Sequence, residues 1–455
     1  MKPKLSVVQI TLIVALGGLL MGYDAATVAT SQMYFTQYFG FTPVQQGWVI
    51  SSAGYGCFLG AISAGYLTSA LSRKYTLIVA AVLYIISAIG SGVADSLSIL
   101  VGYRIILGLS IGMIAMTSPM YIAEISPSSI RGKMVTYHQL AMVIGFILPF
   151  MVSFLINTGD ISHSDRVAYG WRLMFWTEIV PAVIFFALLF YIPHSPRWLI
   201  FKGRNHQAKT VLDQLAEDKS EAKTEYELIA KSLAETKAPS RKLLFKNGLG
   251  YALFLGIMLA IFQQATGIVA ILIYSGEIFS QALGYDPKQA LMPQLWVGIV
   301  NLIFTFVAIY KVDSWGRKPL LIGGTLGMFF GLSVLALSVY TQQEGLLSLI
   351  GVLVFVGAFA MSMGPVVWVI LAEIFPNNVR SLAMSITIGA QCLTSALVTN
   401  GFPILHKSHF NTLNFNGALP YFLFASVCII AILFVWRLVP ETKGKSLEEM
   451  EQIWR

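Results

Sequence analysis

Apolar residues run through this 455-residue chain in long blocks separated by short polar stretches. Blocks of about 20 residues, the length needed to cross a hydrocarbon layer as a helix, fall near 7–30, 46–70, 75–94, 98–122, 133–157, 171–192, 249–280, 290–311, 319–339, 347–373, 381–405 and 418–438. Each predicts one crossing, twelve in all. The first block is too long for a signal peptide and no small-residue cleavage site follows it, so it is read as helix 1. Only residues 201–245 break the pattern. There, AKTVLDQLAEDKSEAKTEYELIAKSLAET spaces apolar residues helically among charges of both signs, predicting two or three amphipathic helices at the membrane surface.

Composition agrees with the block pattern. The chain is 56% hydrophobic and 11% charged with a mean hydropathy of +0.72, where soluble chains carry about a quarter charged residues. The formal charge of +8 is no nucleic-acid signature, because the basic residues sit in alternate short loops. Lys2, Lys4, Arg73, Lys74, Arg131, Lys133, Lys311, Arg317, Lys318, Arg380, Lys443 and Lys445 share one side of a twelve-crossing chain, with Arg166, Lys288 and Lys407 the exceptions opposite. That asymmetry predicts both termini in the cytoplasm. Cys57, Cys392 and Cys428 lie in apolar runs without paired or metal-like spacing and are read as packing residues.

The chain also repeats itself. PMYIAEISPSSIR, from Pro119, returns in GPVVWVILAEIFPNNVR at Gly364–Arg380 with its AEI-x-P-x-x-[IV]-R core offset by 249 residues throughout. TSALSRKYTLI, from Thr68, matches VDSWGRKPLLI from Val312 at an offset of 244. A duplicated half predicts an N-terminal six-helix bundle (1–200), a linker (201–245), a second bundle (246–440) and a tail (441–455). Glycines crowd 54–66 and 104–113, where small residues let helix backbones approach closely in lipid.

Two sets of ionisable residues stand out. Glu124 and Glu373 end helices, prolines prevent continuation, and Arg131 and Arg380 begin the next helices on the same side. With Arg73, Asp313 and Arg317 they are expected to form ion-pair clusters between the halves that hold the cytoplasmic mouth closed. Asp24 is an acid inside helix 1 with no other charge near it, a costly placement that by default faces a bundle interior or a wet cavity. Its expected partner is Arg104, because helix 1 runs outward, helix 4 inward, and the two reach similar depth. A contact that changes between states would switch the proton affinity of Asp24.

The motifs GYD at Gly22–Asp24, Arg104 with Gly108 and Gly112, PMYIAEISPSSIRG, Gln139, GWRLMF, HSPRWL, FQQATG, Asn301, DSWGRK, GPVVWVILAEIFPNNVR and PETKG follow one another in order. Taken together they resemble the sugar porter family of the major facilitator superfamily over essentially the whole chain, close to bacterial proton-coupled sugar symporters and facilitative glucose carriers. The resemblance implies an all-α membrane protein of twelve transmembrane helices in two pseudo-symmetric six-helix bundles with a short cytoplasmic helical linker. It implies a monomeric, multi-pass carrier in the plasma membrane, a bacterial inner membrane, moving a small neutral sugar (hexose, pentose or polyol) with a proton. No cofactor, metal, nucleic acid or enzymatic activity is expected.

Gln139, Gln263, Gln264, Asn301, Trp368 and Gln391 match the family's sugar-binding positions. The chemistry suits sugars: amides both accept from and donate to hydroxyls, and an aromatic face covers the C–H side of the ring. The QQ pair beside Thr266 and Gly267 also marks a helix expected to break. An aspartate at position 24 matches the symporters, whereas facilitators commonly carry a neutral residue there. A uniporter is the alternative, and a non-transporting sugar sensor a more remote one, since only about fifteen residues follow the last block.

Several positions depart from the family. Val269 stands for an asparagine, Ile273 for a tyrosine and Cys392 for a tryptophan, which removes contacts to glucose and leaves a pentose, deoxy sugar or polyol open. Ser69 and Ser72 stand where the second half has Asp313 and Gly316, and His194 stands for a glutamate. A weaker first-half lock and a larger inward-open population are expected.

Overall fold

Helix starts follow local capping chemistry. Ser6 and Gln9 form a reciprocal capping box that opens helix 1, Val7–Phe39, and Thr42 with Gln45 does the same for helix 2, Pro43–Ala70. In this computed structural model the described residues are 5–443 except 128–129, 159–162, 217–218, 235–248, 284–290, 344 and 376–378. Helices 3, 4 and 5 span Arg73–Val93, Leu97–Ile125 and Arg131–Thr158. Helix 6 is Arg166–Leu189, interrupted at Glu178. Helix 7 is broken into Leu249–Ala265 and Ile268–Leu283, helices 8 and 9 are Leu291–Trp315 and Arg317–Tyr340, and helix 10 is broken into Leu346–Met361 and Met363–Ile374. Helices 11 and 12 are Arg380–His406 and Leu419–Leu438.

Eleven of these are long and apolar enough to cross a membrane. Helix 2 is as long, at 28 residues, but its glycines, serines and glutamines dilute its hydropathy. Its glycines face protein. A Cβ on Gly56 would lie 2.2 Å from the carbonyl oxygen of Ile105, and one on Gly108 would lie 2.0 Å from that of Ala53, so helices 2 and 4 meet backbone to backbone. Side chains such as Tyr66, Phe330 and Trp436 point outward and exposed, which is a cost in water and none in lipid.

Helix 1 packs on helix 5, and helix 4 on helices 2 and 3; in the other half helix 9 packs on 10 and 12, and helix 7 on 11. Between halves, helix 2 meets helix 11, helix 5 meets helix 8, and helix 1 meets the second part of helix 7. The polar segment carries Asn205–Leu215 and Lys219–Ala234, preceded by a short helix Pro196–Phe201. Trp198, Leu199 and Ala208 form a small core there with Val211 and Tyr226.

The reading of all three cysteines as packing residues is corrected. Cys57 and Cys392 are paired as a disulfide with Cα atoms 5.6 Å apart, while Cys428 is free and buried. The two are 335 residues apart in sequence. They meet because helices 2 and 11 pack closely enough that a Cβ on Gly54 would lie 2.7 Å from that of Ala396.

Candidate functional site

The break in helix 7 falls at Thr266–Gly267, where Gly267 adopts φ 87°, a conformation that costs glycine little. It opens the wall of a cavity of about 240 Å³ between the halves. That is room for one sugar ring with its hydroxyls. Gln139, Gln263, Gln264, Asn301, Trp368 and Gln391 all line it, and so do Asp24 and Arg104. Eight residues from helices 1, 4, 5, 7, 8, 10 and 11 thus share one space. Val269, Ile273 and Cys392 face the same space, with Phe146 and Leu272.

The amides are not equivalent. Gln263 is saturated: its Nε2 donates to the carbonyls of Met363 (2.8 Å) and Gly364 (3.1 Å), and its Oε1 accepts from Gln391. Met363 and Gly364 open the second part of helix 10, after a break at Ser362 in a stretch that sequence reading treated as continuous, and each carbonyl takes the amide on its second lone pair. Gln264 Oε1 and Asn301 Oδ1 are buried and have no donor among the described residues. A buried acceptor left unpaired costs about 1–3 kcal/mol, which a hydroxyl-bearing ligand would recover. Trp368 is held edge-on against His138 of helix 5, ring centroids 5.9 Å apart.

Asp24 and Arg104 are in contact and buried, 5% and 3% exposed. Arg104 also lies over the ring of Phe175 at 6.0 Å. One turn further along helix 6, sequence reading missed Glu178, which is fully buried. Thr27 and Tyr84 lie beside its carboxyl, neither in hydrogen-bonding geometry, and Asp24 and Arg104 are within electrostatic reach. The signal was available, since Glu178 is an acid inside an apolar block and the argument that singled out Asp24 applies to it equally.

The family model "Sugar (and other) transporter" matches residues 10–454. The chain belongs to this family. It is 38% identical to the D-xylose-proton symporter of Escherichia coli (strain K12), over 98% of this chain and 95% of the relative. It is 34% identical to the glucose facilitated diffusion protein of Zymomonas mobilis, over 99% and 98%. A solved structure of a major facilitator proton:xylose symporter bound to 6-bromo-6-deoxy-D-glucose superposes with a TM-score of 0.90 at 38% identity, covering 99% of each chain. This sugar transporter is therefore a multi-pass membrane protein of the major facilitator fold, and not an enzyme.

The duplicated motifs of the transporter fold into two matching corners. In the first, Arg73 grips Glu124 through Nε (3.0 and 3.3 Å) and Nη2 (2.7 Å), and the Ser195 hydroxyl donates to the same carboxylate. In the second, Arg317 Nη2 donates to Glu373 at 2.9 Å and the Thr442 hydroxyl donates at 2.7 Å. Both of these pairs close within a half. Arg131 Nε donates to the Ala123 carbonyl, and Arg380 donates through Nε and Nη2 to that of Phe375, each arginine fastening its own turn. Across the halves, Arg131 lies within electrostatic reach of Glu373. The Asp313 side chain lies outside the described residues.

Proposed function

We propose that this sugar transporter is a proton symporter for a small neutral sugar working by alternating access, with Asp24 as the proton carrier. The observation that carries this reading is the shared cavity: Asp24 and Arg104 open into the same space as the amides. Counting charge makes the coupling concrete. Asp24 and Glu178 face a single guanidinium, so the cluster is neutral only when the two acids hold one proton between them. Isolated buried charge is strongly disfavoured. Loading a proton and breaking the Asp24–Arg104 contact are thereby linked, and a sugar that moves helix 1 or helix 4 shifts both.

In this reading Gln264 and Asn301 accept from sugar hydroxyls, Gln139 and the free oxygen of Gln391 add contacts, and Trp368 covers the C–H face. Gln263 holds Gln391 and the helix 10 break in register. Val269, Ile273 and Cys392 supply an apolar wall, which favours a pentose or deoxy sugar over a fully hydroxylated hexose. Arg73, Glu124, Arg131, Asp313, Arg317, Glu373 and Arg380 form a gate on the face we place in the cytoplasm with both termini. The protein works as a monomer in the bacterial inner membrane.

A facilitative uniporter is the second reading, supported by the likeness to a facilitated diffusion protein. Uptake into vesicles with and without an imposed proton gradient separates the two. Symport predicts that Asp24→Asn abolishes accumulation while exchange across the membrane at equal concentrations continues. Accumulation against a gradient by the variant would overturn the assignment.

A further inference from the structure

The wall of the cavity holds a pair of thiol-bearing side chains whose chemistry neither sugar binding nor proton coupling draws on. Cys57 and Cys392 both line it, and they belong to opposite halves, on helix 2 and helix 11. Their Cα separation of 5.6 Å lies within the range of about 4.4–6.8 Å that a disulfide spans. We propose that these residues are a reversible thiol–disulfide site in the cavity wall, oxidised by a small peroxide, and that bridging them arrests the alternation of the two halves. This rests on the alternating-access reading above.

Each cysteine is anchored in its own half, so a bridge between them ties halves and not merely side chains. A Cβ on Gly112 of helix 4 would lie 2.1 Å from the Cys57 carbonyl oxygen, and one on Gly108 would lie 2.7 Å from the Cys57 nitrogen. Helices 2 and 4 thus pack backbone to backbone at Cys57. On the other side Gln391, the neighbour of Cys392, donates to Gln263 of helix 7, and helices 7 and 11 pack together. Any motion that draws helix 2 from helix 11 at this level has to break the bridge or stop.

The chemistry balances with a hydroperoxide as oxidant. One thiolate attacks the O–O bond, taking one oxygen as a sulfenic acid and expelling hydroxide. The second thiolate attacks that sulfur, forms the S–S bond and expels the oxygen as a second hydroxide. Protons from the two thiols convert these to two waters. Two electrons pass from the thiols to the peroxide. A dithiol reverses the step by exchange, becoming oxidised as the two cysteines are reduced. Hydrogen peroxide is smaller than a sugar, and the cavity admits it.

The test uses the full chain with a protease site inserted at the exposed turn Gly203–Arg204, reconstituted in vesicles. After hydrogen peroxide and cleavage, the halves are expected to run together on a gel without reductant and apart with dithiothreitol. The initial uptake rate should fall in proportion to the bridged fraction and recover with dithiothreitol. Cys57→Ser and Cys392→Ser should each give separable halves and an uptake rate that peroxide leaves at its own untreated value. Cys428→Ser should respond like the parent. Hydrogen exchange at the ends of helices 4 and 10 should slow on bridging, a readout that needs no sugar. Halves that separate after peroxide, a bridged sample that transports at the untreated rate, or unchanged exchange would each overturn the proposal. If reduced protein moves no sugar, the transport reading fails instead, while the gel and the exchange still decide the bridge and the arrest.

Discussion

The two corners made by the duplicated motif keep the same ion pair and hydroxyl but start their next helix by different means. Helix 9 begins at Gly316 with φ 94°, and the backbone N–H groups of Arg317 and Lys318 donate to the Glu441 carboxylate at 3.0 Å each. An anion there meets both the unpaired N–H groups and the positive end of the helix dipole. Helix 3 begins at Ser72, a non-glycine at φ 108°, whose hydroxyl accepts from Tyr75 at 3.4 Å and contacts His194 Nδ1 at 3.1 Å. His194, in the place of Glu441, stacks on Trp198 instead. The first corner compensates from elsewhere: the Lys74 ammonium donates to the carbonyls of Phe190 and Ile192 at 2.8 Å each, where helix 6 runs out. A cation at one helix's C-terminus there does the work that an anion at a helix's N-terminus does in the other half.

The largest test of this comparison removes what the corners share. Glu124→Ala leaves the partly buried Arg73, and Glu373→Ala the buried Arg317, without its carboxylate, and breaking a buried pair costs up to about 3–5 kcal/mol. Both variants are expected to melt well below the parent in detergent, and one silent variant would break the equivalence of the corners. Glu373→Ala also removes the attraction to Arg131 of the other half, so it alone should speed hydrogen exchange at the start of helix 5.

A smaller effect comes from the device only one corner has. Glu441→Gln weakens two charge-assisted bonds to backbone N–H groups and is expected to cost about 1–2 kcal/mol. His194→Ala, at the equivalent place, should cost less than that when both are measured by thermal unfolding. The reverse order would show that the histidine had replaced the acid in full. Smallest is the conversion of one corner into the other. Ser72→Gly with His194→Glu relieves a backbone that favours glycine and restores an acid at the helix start, for an expected gain of about 1 kcal/mol. Loss of stability in the double variant would mean that Trp198 depends on the histidine stack.

The sequence made some of this legible and hid the rest for identifiable reasons. Apolar blocks mark crossings because lipid demands them, and the break at Gly267 was foreseeable from Gln263, Gln264, Thr266 and Gly267 together. Asp24 and Arg104 were foreseeable as partners because helix direction fixes depth. Glu178 was legible and overlooked, and so was the break before Gly364 and Pro365. Which acid each arginine meets was not legible: Glu124 and Glu373 pair with Arg73 and Arg317 of their own halves, with Arg131 of the other half in electrostatic reach of Glu373, and only coordinates show such distances.

Hydropathy, duplication and motif order determined by themselves that this protein crosses a membrane many times, in two related halves, and carries sugars. They act through single residues or single helices, so one dimension suffices to read them. Tertiary structure alone decided that Gln263 is occupied while the Gln264 oxygen has no donor among the described residues, that Glu178 lies within electrostatic reach of the Asp24–Arg104 pair, and that Cys57 faces Cys392. Each of these depends on distances between helices far apart in the chain, which no spacing along it encodes.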